Sequence, residues 1–290
     1  MQGLNGILRG SSALGQPKER GPVVAEPAAG GVCPQCGGRG WVVQRDRGAG
    51  SARPCDCRKQ QLALQRLEYA GIPDRYQRCR LANFHATHHQ PGVRAQLQRA
   101  LAQSRQYVDA FLRTDGRYCE TGLLYVGPPG VGKTHLASAV LAELVTSYPI
   151  HGRFVDFTSL LHRLQASFET GAIETKSDIL DPIVGAELLV VDELGAQKPT
   201  PWVQDILYLL INTRYSRRLP TIFTSNYGLD PVSAPARSLD RGADPEVGGV
   251  PLSRRIPASL VSRLCEMARP VLLDGVDDHR REVDSQSLRA

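Results

Sequence analysis

Leu123-Leu124-Tyr125-Val126 runs directly into Gly127-Pro128-Pro129-Gly130-Val131-Gly132-Lys133-Thr134, and then into His135-Leu-Ala-Ser-Ala-Val140. A strand before and a helix after are the context in which G-x-x-x-x-G-K-T is a phosphate-binding loop and not a Gly-rich turn. Glycines let backbone N–H groups close around phosphate oxygens, and the start of the helix adds partial positive charge. Lys133 is placed to reach the β and γ phosphates, and Thr134 to ligate Mg²⁺. Gly127 to His135 is therefore one candidate nucleotide-binding run, with Asp192 as its distant partner.

About 60 residues downstream, Leu188-Leu-Val-Val191 ends in Asp192-Glu193. Four apolar residues predict a buried strand whose C-terminal end, where ligands bind in such sheets, carries two acids. Asp192 is expected to hold Mg²⁺ through water, and Glu193 to polarise the water that attacks the γ-phosphate. A third strand closes on Thr224-Ser225-Asn226, where Asn226 is positioned to sense that phosphate. Arg263, in Ser262-Arg263-Leu264 of a helix expected near 258–267, is a candidate arginine finger for a neighbouring subunit.

Short apolar runs at 123–126, 154–157, 188–191 and 221–224 alternate with helical patterns after Lys133 and at 202–215. This alternation predicts an α/β fold with a central parallel sheet flanked by helices. Val203, Ile206, Leu207, Leu210 and Ile211 form the clearest stripe. A helix is expected at about 58–70. Another, at 92–114, is marked by Val93, Leu97, Leu101, Val108 and Leu112, and a closing strand by Pro270 to Leu273. Residues 228–257 hold five prolines and four glycines and read as a long loop.

Cys33-Pro-Gln-Cys36-Gly-Gly-Arg-Gly40 and Cys55-Asp-Cys57 give C-x2-C-x18-C-x-C. Paired thiolates across glycine-rich turns form a tetrahedral Zn²⁺ site. The tight C-x-C leaves Cys79 as a possible substitute ligand. Trp41, Val42 and Val43 follow the knuckle, either as a partner surface or as packing against the metal site. Cys119 and Cys265 are expected to be buried small hydrophobes, and His88 and His89 loop residues.

The chain has 290 residues and is 41% hydrophobic, enough for about two domains and a real core. No apolar run approaches the roughly 20 residues of a bilayer crossing, so no membrane partner is expected. Seven cysteines suit a metal site plus reduced thiols in a cytoplasmic protein. The net charge of +6, most of it before residue 60, fits a polyanion without identifying one. The expected organisation is a disordered lead at 1–31, a zinc-binding module at 32–59, a helical linker region at 60–115, an ATPase domain at 116–283 and a tail at 284–290.

With Walker A at 127–134, Walker B at 188–193 and TSN at 224–226, the chain resembles the AAA+ ATPases. Ala70-Gly-Ile-Pro-Asp-Arg-Tyr76, Asn83-Phe84, Ser262-Arg-Leu264, Gly275 and Arg280 narrow the likeness to the DnaC/DnaI-type helicase loaders and the IstB-like transposition ATPases, over about residues 58–283. The resemblance implies an AAA+ P-loop NTPase preceded by a small zinc-binding module and using ATP, Mg²⁺ and Zn²⁺. Its implied partners are single-stranded DNA and a replicative hexameric helicase, and it implies a homo-oligomer with nucleotide-bridged interfaces. It also implies Asn226 as sensor 1, Arg263 as finger and Arg280 as a second nucleotide-proximal arginine. The length of 228–257 departs from the family and leaves Arg254 and Arg255 as rivals to Arg263. Two other readings are a transposase helper and an adaptor that binds ATP without hydrolysing it, the latter disfavoured by Glu193.

Overall fold

The computed structural model describes residues 32–45, 50–169, 173–229 and 251–273. The expected lead, the tail, Gly275, Arg280 and most of the 228–257 loop lie outside the described residues. The chain divides into two units, residues 1–55 and 56–290.

In the first unit, β1 (Trp41–Arg45) and β2 (Gly50–Pro54) pair antiparallel, with Trp41 opposite Pro54 and Val43 opposite Ala52. Trp41 and Val43 are 41% and 57% exposed. A hairpin this small has little apolar area to hide and cannot hold itself together by burial alone.

In the second unit, β3 (Gly122–Val126), β4 (Gly152–Asp156), β5 (Leu188–Asp192), β6 (Thr221–Ser225) and β7 (Ala268–Leu272) form a parallel sheet in the order β4-β5-β6-β3-β7. β3, β5 and β6 are buried along their whole length. Such strands read as unbroken apolar runs because helices cover both sheet faces.

One face is covered by α1 (Asp56–Tyr69), α2 (Pro91–Asp109) and α3 (Lys133–Ser147), which pack with Leu123, Tyr125, Val190 and Ile222. The other is covered by α4 (Phe157–Ala166), α5 (Lys176–Val184), α6 (Pro201–Ser216) and α7 (Ala258–Met267), against Leu124, Val126, Val191 and Phe223. Residues 60–115, set apart by sequence as a linker region, contribute Ala70, Leu81, Val93 and Leu97 to the first of these cores.

Several expectations shift. α2 stops at Asp109, because Phe111 turns into the core and Leu112 bridges Tyr118 around a turn whose Gly116 has φ +80°. Phe157 begins a helix and does not end a strand, since Asp156 caps it by accepting from the Ser159 N–H at 2.5 Å. Cys265 is exposed on α7. Cys119 is half-buried with its thiol on the Thr121 carbonyl, whereas Cys79 is the cysteine in the apolar core, where burial pushes its thiol pKa up. His88 and His89 stand in a loop, their rings 4.1 Å apart.

Arg214 has no counterpart in the sequence reading. Only 1% exposed, its guanidinium donates to the carbonyls of Ala186 at 2.7 Å, Pro220 at 2.8 Å and Val184 at 3.1 Å, and its Nε to Thr221 Oγ1 at 2.8 Å. Desolvation pushes its pKa down to about 9. The side chain ties the exit of α5 to the entry of β6, satisfying carbonyls that a helix end leaves orphaned.

Candidate functional site: a phosphate loop facing two acids

The loop between β3 and α3 lies at the C-terminal edge of the sheet, with the ends of β5 and β6 alongside. Gly130 and Gly132 have φ of +82° and +94°, conformations that L side chains rarely adopt. At Gly132 a second constraint applies, because an added Cβ would lie 2.6 Å from the Phe84 ring. Phe84 also meets the His135 ring edge-on at 5.4 Å. His135 Nε2 lies 3.1 Å from both the Arg80 carbonyl and Asn83 Oδ1, two acceptors that require it to carry the proton. Burial lowers the His135 pKa, which keeps the ring neutral. Asn83 and Phe84 thus anchor the segment before α2 onto the start of α3.

Lys133 is buried, and its Nζ donates to the carbonyls of Gly127 at 2.8 Å and Pro128 at 2.7 Å, so the loop is curled around the ammonium. Thr134 Oγ1 donates to Asp192 at 2.9 Å. Asp192 in turn accepts from Thr224 Oγ1 at 2.6 Å, and that same hydroxyl accepts from the Glu193 backbone N–H at 3.0 Å. One chain of hydrogen bonds therefore joins the phosphate loop, the Asp192 carboxylate, β6 and the backbone N–H of Glu193. Thr224 is its hinge, and the sequence reading had given roles only to its neighbour Asn226. A hydroxyl at an inward position of a buried strand is the signal that could have found it.

Burial raises the Asp192 pKa. The Thr224 and Thr134 hydroxyls pull it back, while nearby Glu193 and Asp156 push it further up. A buried carboxylate with a hydroxyl beside it is an oxygen donor set suited to a hard divalent cation, and the Lys133 ammonium on the loop suits phosphate. The residues present therefore fit nucleotide and Mg²⁺. Glu193 differs from its neighbour: its side chain is exposed and its backbone has φ +60°. A non-glycine residue held in that region costs about 1–2 kcal/mol and is found where the surroundings over-determine it.

Asn226 follows the end of β6, half-buried. Arg263 is not beside the acids. Its guanidinium lies over the rings of Tyr208 and Tyr215 at 5.3 and 5.8 Å, and its Nη1 is buried with no hydrogen-bond partner among the described residues. Arg255 donates to the Tyr227 hydroxyl and stacks on that ring, and Arg254 is exposed.

Cys33, Cys36, Cys55 and Cys57 bring their sulfurs within 4.8 Å of one another. Cys33 and Cys55 Sγ are 3.8 Å apart, close to the separation of about 3.8 Å that tetrahedral Zn–S bonds of about 2.3 Å require. Gly40 N–H donates to Cys36 Sγ at 3.3 Å. Cys55 directly follows β2 and Cys57 is the second residue of α1. Cys79 is not in this group. The donor set fits zinc.

Residues 110–234 match the family described as IstB-like ATP binding protein. The replicative helicase loader DnaI of Bacillus subtilis is 30% identical over 175 residues, 59% of this chain and 51% of the relative. The replicative helicase loader DnaC of Escherichia coli K12 is 26% identical over 190 residues, 64% of this chain and 71% of the relative. Among solved structures, the DnaC helicase loader superposes with a TM-score of 0.53 at 29% identity, covering 69% of this chain and 99% of that one. The chain spans about half the length of the DnaI relative. No helix among the described residues is long and apolar enough to cross a membrane. Residues 110–234 are thus similar to the IstB-like ATP binding proteins, and the chain is similar in sequence to the DnaC and DnaI helicase loaders.

Proposed function

We propose that the protein hydrolyses ATP, binds single-stranded DNA and loads a replicative hexameric helicase in the cytoplasm. The observation that carries the hydrolytic part is the chain Thr134–Asp192–Thr224, which ends on the backbone N–H of Glu193 and so fixes, beside the phosphate loop, the residue whose carboxylate is exposed. The likeness to DnaC along nearly all of that solved chain supports the loading part.

In this reading the Lys133 ammonium exchanges its two loop carbonyls for phosphate oxygens. Thr134 and Asp192 would hold Mg²⁺, which would supply charge neutralisation at the phosphates. Glu193 accepts the proton of the attacking water, and Asn226 hydrogen-bonds that water and the γ-phosphate. Arg263 serves a nucleotide held by a second copy after leaving its place over Tyr208 and Tyr215, so assembly and turnover are linked. Zn²⁺ held by Cys33, Cys36, Cys55 and Cys57 is structural.

Glu193→Gln tests the hydrolytic part. Turnover should fall by roughly 10²–10⁴-fold while nucleotide binding persists, and unchanged turnover would remove Glu193 from the mechanism. Co-purification with hexameric helicases, with ATP and with ADP, tests loading. The IstB-like match favours one second reading, a transposase helper, which predicts capture of a transposase instead.

A further inference from the structure

We propose that the outward face of α2, together with Arg78, is a binding surface for the phosphate backbone of single-stranded nucleic acid. The inference rests on the single-strand reading above and adds to it a location on the molecule.

From Arg75 to Val108 the sequence holds Arg75, Arg78, Arg80, Arg94, Arg99 and Arg105 and not one Asp or Glu. α2 buries Val93, Leu97, Ala100, Ser104, Tyr107 and Val108 against the sheet. Its opposite side exposes Arg94, Gln98, Arg99, Gln103, Arg105 and Gln106, with only the small Ala95 and Ala102 between them. At 100° per residue, Arg94 and Arg105 lie within about 20° of one another along one edge of that side, some 16 Å apart, while Arg99 lies on the opposite edge.

Solvated helix faces normally interleave both charge signs as i,i+4 pairs. This one carries a single acid, the exposed Asp109 four residues after Arg105 in the last turn, and otherwise offers cations and amides. None of Arg75, Arg78, Arg94 or Arg99 forms an ion pair among the described residues. Arg80 is committed elsewhere, to the carbonyls of Gln77 and Cys79, and Arg105 is near Glu143 of α3. Arg75, Arg78, Arg94 and Arg99 are therefore the uncompensated cations, and the last three are taken for the test. Guanidinium groups flanked by flexible amide donors, without bulky apolar side chains, suit a backbone of repeated phosphates better than an apolar protein patch. The same segment grips the phosphate loop through the Arg80 carbonyl, Asn83 and Phe84, so a strand lying on α2 is one short covalent step from the nucleotide.

The test uses the full chain and a fluorescein-labelled 20-nucleotide oligo-dT, followed by anisotropy across a salt series. The variant is Arg78→Glu/Arg94→Glu/Arg99→Glu. A charge-matched control, Lys176→Glu/Lys198→Glu/Arg217→Glu, changes exposed residues of the opposite layer. The variant should bind at least tenfold more weakly. Its log–log salt slope should be shallower by about 2, given about 0.7 per lost single-strand phosphate contact. The control and an Arg-to-Lys triple at positions 78, 94 and 99 should stay near wild type. Fluorescent ATP-analogue binding confirms that each variant is folded.

Equal loss in the control would reduce the effect to net charge and overturn the site. Wild-type affinity in the variant would overturn it while leaving single-strand binding intact. A wild-type protein that ignores oligo-dT would overturn both readings. If the variant kept oligo-dT and instead lost a helicase in pulldown, the face would belong to an acidic protein partner, and the nucleic-acid assignment would fall.

Discussion

The cysteine hairpin and the phosphate pocket hold short, irregular chain in fixed shape by opposite means. Around Cys33 to Cys57 there is almost no apolar cover, and four thiols converge on one point. Around Lys133, Asp192 and Thr224 the groups are buried by helices on both sheet faces, and each polar atom is placed by another polar atom of the chain. With the proposed zinc the first would depend on a ligand from outside, whereas the second is set by packing. Failure should therefore be total and local in one region, graded and global in the other.

Zinc removal should have the largest effect. One zinc per chain should be found by elemental analysis, and a zinc-selective chelator should leave residues 32–57 open to proteolysis, because apparent binding energies of about 10 kcal/mol or more far exceed what the hairpin can bury. The thermal transition of the ATP-binding core should persist. An untouched hairpin after complete zinc loss would break the contrast.

On the packed side, Arg214→Ala strands the carbonyls of Val184, Ala186 and Pro220 and should cost about 3 kcal/mol or more. That corresponds to a drop in Tm of roughly 6–12 °C for a unit of this size. A shift under about 2 °C would show that solvent or repacking satisfies those carbonyls.

Thr224→Val keeps the shape of the side chain and deletes its hinge hydroxyl. Fluorescent-nucleotide binding without Mg²⁺ should be retained, while the Mg²⁺ needed for half-maximal binding should rise by roughly tenfold, the scale of one hydrogen bond to a charged group. Thr224→Ser should restore it. A purely structural role would instead weaken both forms of binding together.

The smallest effect concerns pH. Asp192 has a raised pKa in the folded, nucleotide-free protein, so ionising it costs the fold more than it costs the unfolded chain. The stabilising protonated form is present in full below the unfolded carboxylate pKa of about 3.9 and is lost as pH rises through the folded value. Asp192→Asn should therefore gain stability over wild type from about pH 4 upward, levelling off once Asp192 is ionised in the folded state. Urea melts of the nucleotide-free proteins measure this, and a gap that narrows with rising pH would contradict the assigned cause.

What was legible in the sequence follows the same division. The phosphate loop and the run Leu188 to Glu193 stood out because strand, turn and helix signals coincide there, and Val203, Ile206, Leu207, Leu210 and Ile211 are all buried as their stripe requires. The stripe also runs on to position 214, and an arginine there is the mark of a buried clamp. α4 was hidden because Phe154 to Phe157 looks like one strand, although Phe157, Leu160, Leu161 and Leu164 keep helical spacing. α5 was masked by Pro182 within it. The Thr224 hinge depends on the lateral order of β5 and β6, which no local pattern encodes, and Arg263 on two tyrosines about fifty residues away.

The left-handed twist at Glu193 sets two selective pressures against each other. Glycine would relax that backbone and make the domain sturdier, yet it would delete the carboxylate on which the proposed hydrolysis depends. Variants enriched for heat tolerance alone should drift toward an inert nucleotide holder.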